Sequence, residues 1–220
     1  MPFALADEPR HDLLMAVDHL VLAAPDLDEG IAAVEAMTGV RASYGGSHPG
    51  LGTRNALLSL GPRVYLEIIA PDPGQSTWQS PRPFRVDEIQ APMLVTWAAK
   101  SGDVEGLVER TLPGGESLGT AQAGSRKRPD GVTLSWVLSV PTREVADGVV
   151  PFFIDWGDTP HPAASAPSGV TLIALRLVHP EPVRVREALD ILGIDAVVTH
   201  GARPALIAEL MTPNGAVTLE

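Results

Sequence analysis

One order of elements comes round three times along this chain, and it limits the fold more than any single residue does. Residues 17–40, VDHLVLAAPDLDEGIAAVEAMTGV, read as a strand, a turn and an amphipathic helix. The strand is apolar except for Asp18 and His19. Strict alternation puts His19, Val21 and Ala23 on one face and Asp18, Leu20 and Leu22 on the other. Pro25 and Asp26 stop the strand, and Asp26 caps the helix. Leu27, Ile31, Val34 and Met37 recur at helical spacing until Gly39 ends the run. Short strands at residues 41–44, 53–60 and 64–69 complete a β-α-β-β-β unit over residues 17–70. Residues 92–157 repeat the order, with a strand at 92–98, a helix at 103–111, a hairpin of 118–123 and 132–139, and a strand at 151–156. Residues 170–220 give a third, shorter unit, with two units plus an unrelated tail as the alternative. Residues 1–16 form an N-terminal extension, and the Pro-rich stretches 72–91 and 160–168 read as linkers. The expected class is α+β, built from tandem βαβββ units that bury sheet faces they cannot cover alone.

Charge and composition narrow the function. The chain of 220 residues carries a net charge of −11, which argues against a nucleic-acid backbone as partner. Its one dense basic cluster, Arg126-Lys127-Arg128, reads as a solvated hairpin tip. There is no cysteine, so thiolate metal sites and thiol nucleophiles are excluded. Apolar runs break within about ten residues, well short of the ~20 that span a membrane. Residues 1–15 carry Asp7, Glu8 and Asp12 and lack the pattern of a signal peptide, so the expected location is cytoplasmic.

Polar residues on apolar strands mark the candidate site. Tyr65, Glu67 and Ile69 share a face of the fourth strand. Glu67, between Leu66 and Ile68, needs a partner (His19, Arg54 or a metal) or an open cleft, and can serve as a general base. His48 lies in a glycine-dense loop that allows close backbone approach. Asn55 shares a face with Leu57 and Ser59, and Arg54 shares the other with Ala56. Arg54 suits either a ligand carboxylate or phosphate or a structural ion pair. Asp155 shares a face with Phe153, and His161 follows in a turn. Trp97, Trp136 and Trp156 read as core or cleft wall.

The runs Asp18-His19-Leu20-Val21, His48-Pro49-Gly50-Leu51-Gly52-Thr53-Arg54-Asn55, Tyr65-Leu66-Glu67-Ile68 and Pro151-Phe152-Phe153-Ile154-Asp155-Trp156 with His161-Pro162 resemble the vicinal oxygen chelate superfamily, in its glyoxalase-like branch. The resemblance implies paired units whose mixed sheets curl around a cleft. There a divalent metal, held by a first-strand His and a fourth-strand Glu, chelates neighbouring substrate oxygens as a Lewis acid. His19 and Glu67 match the first unit's ligands. The second unit has no His near Val95 or Thr96, and offers Asp155 in place of Glu. The expectations are therefore His19, Glu67 and Asp155 as metal ligands, Glu67 and His161 as catalytic groups, and His48, Thr53, Arg54, Asn55 and Trp97 as substrate contacts. The cofactor is one divalent ion (Zn, Fe, Mn, Ni or Co) or none. The implied activity is that of a metal-dependent lyase, isomerase or dioxygenase on a small oxygen-rich molecule. The alternative is a metal-free binding protein of the bleomycin-resistance type. The expected partner is a small-molecule ligand, with neither nucleic acid nor membrane, and a homodimer is the assembly common in the superfamily.

Overall fold

The first two units share one sheet in the computed structural model, which describes residues 11–78, 81–127, 131–141 and 143–220. A short helix α1 (His11–Ala16) leads into β1 (Val17–Ala23), α2 (Leu27–Thr38), β2 (Ser43–His48), β3 (Thr53–Gly61) and β4 (Val64–Pro71). The second unit is β5 (Met93–Lys100), α3 (Val104–Val108), β6 (Thr120–Lys127), β7 (Thr133–Val140) and β8 (Phe152–Asp155). The strand order is β2-β3-β4-β1-β5-β8-β7-β6. Each unit pairs its first strand parallel with its fourth, β1 with β4 and β5 with β8, and the antiparallel pair β1–β5 joins the units. The mixed sheet curls into a half-barrel. Its curl brings Arg126, on the edge strand β6, to Asn55 near the opposite edge.

Local chemistry sets the first unit as expected. Asp26 Oδ1 accepts from the backbone N–H of Asp28 at 2.8 Å and of Glu29 at 3.3 Å, capping α2. Gly39, with φ of 76°, closes the helix in the left-handed conformation. Ile31 and Val34 of α2 pack with Leu20, Leu22, Leu66 and Ile68 in a core behind the convex face of the sheet.

The third segment backs that same core. It comprises β9 (Thr171–His179), α4 (Pro182–Ile191), β10 (Val198–His200), β11 (Ala205–Thr212) and β12 (Gly215–Leu219). Its element order along the chain is the one expected. Its sheet order is its own, β10-β9-β11-β12, with β9 between parallel β10 and antiparallel β11. Leu172, Leu177 and Leu210 join the convex-side core, and the Leu94 N–H donates to the Glu220 carbonyl at 3.1 Å. Among the described residues no helix is long and apolar enough to cross a membrane.

Candidate functional site

A bulge in β1 builds the site. The register against β5 runs Val17↔Ala99 and then His19↔Ala98, so Asp18 is the extra residue. Two successive side chains, Asp18 and His19, consequently turn to the concave face, which strict alternation does not allow. The fully buried Asp18 carboxylate collects three donors. Oδ1 accepts from His19 Nδ1 at 2.8 Å and from Trp156 Nε1 at 3.2 Å. Oδ2 accepts from His161 Nε2 at 3.1 Å. Burial alone would raise the Asp18 pKa, but the bonds from His161 and His19 outweigh it and hold the carboxyl well below its usual range. A carboxylate only accepts, so His19 carries a proton on Nδ1, and in the neutral ring the lone pair lies on Nε2. His161 Nδ1 accepts the Ala163 N–H at 3.3 Å, which leaves its single proton on Nε2. His161 is thus committed on both sides and positions Asp18.

Opposite His19 stands Glu67 of β4, its Oε2 3.7 Å from His19 Nε2. His48, at the end of β2, approaches from the other side, its Nε2 3.7 Å from Glu67 Oε1. Its Nδ1 is bonded to Thr53 Oγ1 at 2.9 Å. Asn55 Nδ2 donates to Glu67 Oε1 at 2.5 Å, and Arg126 Nη1 donates to Asn55 Oδ1 at 3.2 Å. These two bonds fix which end of the amide faces the carboxylate. Burial pushes the His48 pKa below 6.5, and the Arg126 charge adds to the shift against the pull of Glu67. Burial, with the charges of Asp18 and Glu67, pushes the Tyr65 hydroxyl well up, so it stays a donor. The Tyr65 ring stacks on His19 at 4.5 Å, Phe152 meets His19 edge-on, and Phe84 lies over Phe152. Phe84 has φ of 59°, a left-handed conformation that costs a non-glycine residue.

The glycines of β2 make room for this network. A Cβ on Gly45 would lie 2.4 Å from Asn55 Oδ1 and 2.9 Å from Arg126 Nη1, and one on Gly46 3.0 Å from Arg126 Nη1. Gly45→Ala is therefore expected to destabilise the fold by about 1–3 kcal/mol through overpacking. A melting temperature within a degree of the parent, measured by thermal denaturation, would contradict that role.

The structure brings His19, Glu67, His48, Thr53 and Asn55 together, and it places Arg54, Trp97, Asp155 and Arg126 elsewhere. Arg54 points to the outer face, where alternation opposite Asn55 sends it, and pairs with Asp26 at 3.2 Å. Trp97 lies in the convex-side core and donates to the Val149 carbonyl at 2.9 Å. Asp155 follows the inward Ile154, so it faces away and accepts the Gly157 N–H at 2.8 Å. Arg126, read as part of a solvated tip, is buried with 8% exposure. Residues 128–130 of that tip lie outside the described residues. Asp18 and Arg126 are the site residues that sequence reasoning missed.

Imidazole and carboxylate suit the expected metals by donor type. Among the described residues, however, no group of three or more His, Asp or Glu side chains is placed to hold a metal ion. Glu67 Oε1 is taken by Asn55, Asp155 faces away, and Arg126 brings a positive charge up to Asn55. The residues as arranged do not fit the expected metal.

A family model described as a glyoxalase-like domain matches residues 17–193. The chain belongs to the glyoxalase-like domain family. Among solved structures, this glyoxalase-like chain resembles a hypothetical protein from Staphylococcus aureus at 14% identity, over 93% of this chain and 85% of that one, with a TM-score of 0.61. That likeness shows a shared fold. Methylmalonyl-CoA epimerase from Mycobacterium tuberculosis aligns at 18% identity over 74% of this chain and 98% of its own, with a TM-score of 0.41. The Streptomyces coelicolor epimerase, as a variant in complex with 2-nitronate-propionyl-CoA, aligns at 17% identity over 63% and 91%, with a TM-score of 0.38. No curated protein sequence matches the chain.

Proposed function

We propose that this glyoxalase-like protein is an enzyme of the isomerase or lyase type that moves a proton on a small oxygen-rich substrate held on the concave face. The observation that carries this reading is the His19 Nε2 lone pair, oriented by Asp18 and facing Glu67 Oε2 across 3.7 Å. That separation exceeds the ~2.7–3.2 Å of a hydrogen bond, so the two groups do not spend themselves on each other, and a substrate set beside the pair, off the line that joins them, would meet both. His19 Nε2 takes a proton from a carbon beside a carbonyl, and the electron pair moves onto the carbonyl oxygen. The protonated imidazole then returns the proton to the former carbonyl carbon, while Glu67 takes the hydroxyl proton and passes it to the former carbonyl oxygen, so the isomerisation balances without a co-reactant. Glu67, held by Asn55, orients the substrate hydroxyl. The ring wall of Tyr65, Phe152 and Trp156 limits water at the reacting atoms.

The test is deuterium wash-in followed by proton NMR, using small hydroxyketones and α-ketoaldehyde hemithioacetals, with and without EDTA. Wild-type protein is expected to catalyse exchange in EDTA, and His19→Ala and Glu67→Gln each to slow it by at least about 10²-fold. Exchange that appears only after loading with Zn, Fe, Mn, Ni or Co would overturn the reading in favour of a metal enzyme. Binding without exchange in any condition would turn it to the metal-free binding protein.

A further inference from the structure

Arg126 is a buried guanidinium with no carboxylate at ion-pair distance among the described residues. It reaches the cleft from the far edge of the sheet, through the space left by Gly45 and Gly46. Of its five N–H donors, one goes to Asn55 Oδ1, and among the described residues no carboxylate lies within ion-pair distance of it. Burying an unpaired charge costs several kcal/mol, so buried arginines are normally matched by an anion. Glu67 is the obvious mate, yet Asn55 stands between them, donating to one and accepting from the other. A direct Arg126–Glu67 pair would cancel both charges. The amide spacer keeps the cation and the carboxylate side by side and leaves each available to a third party. His48, Tyr65 and Glu67 surround the same space, and Arg54, the other candidate, lies on the outer face beside Asp26.

We propose that the cleft's ligand is a small carboxylate, bound through its carboxylate group to Arg126, with the neighbouring oxygen-bearing carbon presented beside the His19–Glu67 pair. This rests on the proton-transfer reading for what happens at that carbon, and not for the binding itself. A carboxylate matches the planar fork of a guanidinium with two parallel hydrogen bonds, and a tetrahedral phosphate shares the charge but fills more space. The substrate class is then a 2-hydroxy or 2-oxo acid, in which a carboxylate adjoins a carbon bearing oxygen.

Calorimetry and NMR on the full chain test this with lactate and pyruvate, their neutral counterparts lactamide and pyruvamide, and inorganic phosphate as probes. Lactate or pyruvate is expected to bind and to move the Arg126 Nε–H resonance, assigned with Arg126→Lys, while the amides bind at least tenfold more weakly. Arg126→Gln is expected to weaken carboxylate binding at least tenfold, and Arg54→Gln to leave it within twofold. His19→Ala is expected to keep carboxylate binding while losing exchange, which separates failure of this inference from failure of the catalytic reading. Should Arg126→Gln not fold, the Nε–H resonance of the wild-type protein decides. A resonance that does not move at saturating probe overturns the proposal, as do equal affinities for acid and amide. Binding of phosphate in preference to both acids would also overturn the carboxylate assignment.

Discussion

Asp18→Asn is expected to lower the exchange rate by about 10³- to 10⁴-fold while the chain still folds. The reason lies in the three donors that converge on one carboxylate. His19 Nδ1 and Trp156 Nε1 share Oδ1, and His161 Nε2 takes Oδ2. An asparagine offers one accepting oxygen and one donating amide. If the oxygen serves His19 and Trp156, the amide meets the His161 N–H head on. If the amide turns toward His19, that ring must place its proton on Nε2, and the base facing Glu67 is gone. The loss of an orienting carboxylate behind a histidine base costs about 10⁴-fold in the serine-protease triad, where the wrong tautomer is the cause. One unmatched buried donor costs about 1–3 kcal/mol of stability, within reach of a domain of this size. The rate is read by deuterium wash-in, the His19 tautomer by imidazole nitrogen NMR, and the stability by denaturant unfolding. An unchanged rate with an altered tautomer would remove Asp18 from the mechanism. A rate that falls with the tautomer unchanged would point to a structural role.

The parts of this site that can be read in the sequence are those written in local period. His19 and Glu67 stand out because each interrupts an apolar strand, and alternation then assigns Asn55 inward and Arg54 outward. The first two units are legible for the same reason, since caps such as Asp26 and Gly39 act over three or four residues. The misses share a different cause. Asp18 is placed by a bulge, and a bulge is a property of the pair β1–β5 rather than of β1 alone. Arg126 meets Asn55 across 71 positions of chain, and only the curl of an eight-stranded sheet brings them together. Nothing near Arg126 distinguishes it from the Lys127 and Arg128 beside it. Asp155 matches a fourth-strand Glu only by analogy, and which face it shares with Phe153 is settled by the packing of Phe153 in the convex-side core. In the third segment the run of strands was readable, while their pairing depends on which neighbour a three-residue strand finds.

Acid is expected to unfold the protein in two phases, and each phase follows from a named group. His48 faces Glu67, Asp72 and Arg126, and burial lowers its pKa below 6.5. His179 is buried with no hydrogen-bond partner on Nε2, faces Asp147, Glu181, Glu116 and Arg184, and is lowered by burial as well. For a histidine whose folded pKa is depressed, the unfolded chain takes up the proton first. The stability these two contribute is whole above about pH 6.5 and is lost as pH falls below it, at up to ~1.4 kcal/mol per pH unit for each imidazole. Asp18 acts lower down. Its folded pKa is depressed by the His161 and His19 bonds despite burial, so its contribution is whole above about pH 4 and is lost as pH falls from there. Urea unfolding from pH 8 to pH 3 checks both phases. His48→Asn is expected to shallow the slope between about pH 6.5 and 5, and Asp18→Asn to remove the loss below about pH 4 while lowering stability at every higher pH. A parent protein equally stable at pH 7 and pH 5 would sink the first assignment, and an Asp18→Asn variant that keeps the full low-pH loss would sink the second. Because the Asp18 carboxylate remains ionised through the first phase, it keeps accepting from His19 Nδ1 there, so the protein loses stability before its base loses orientation.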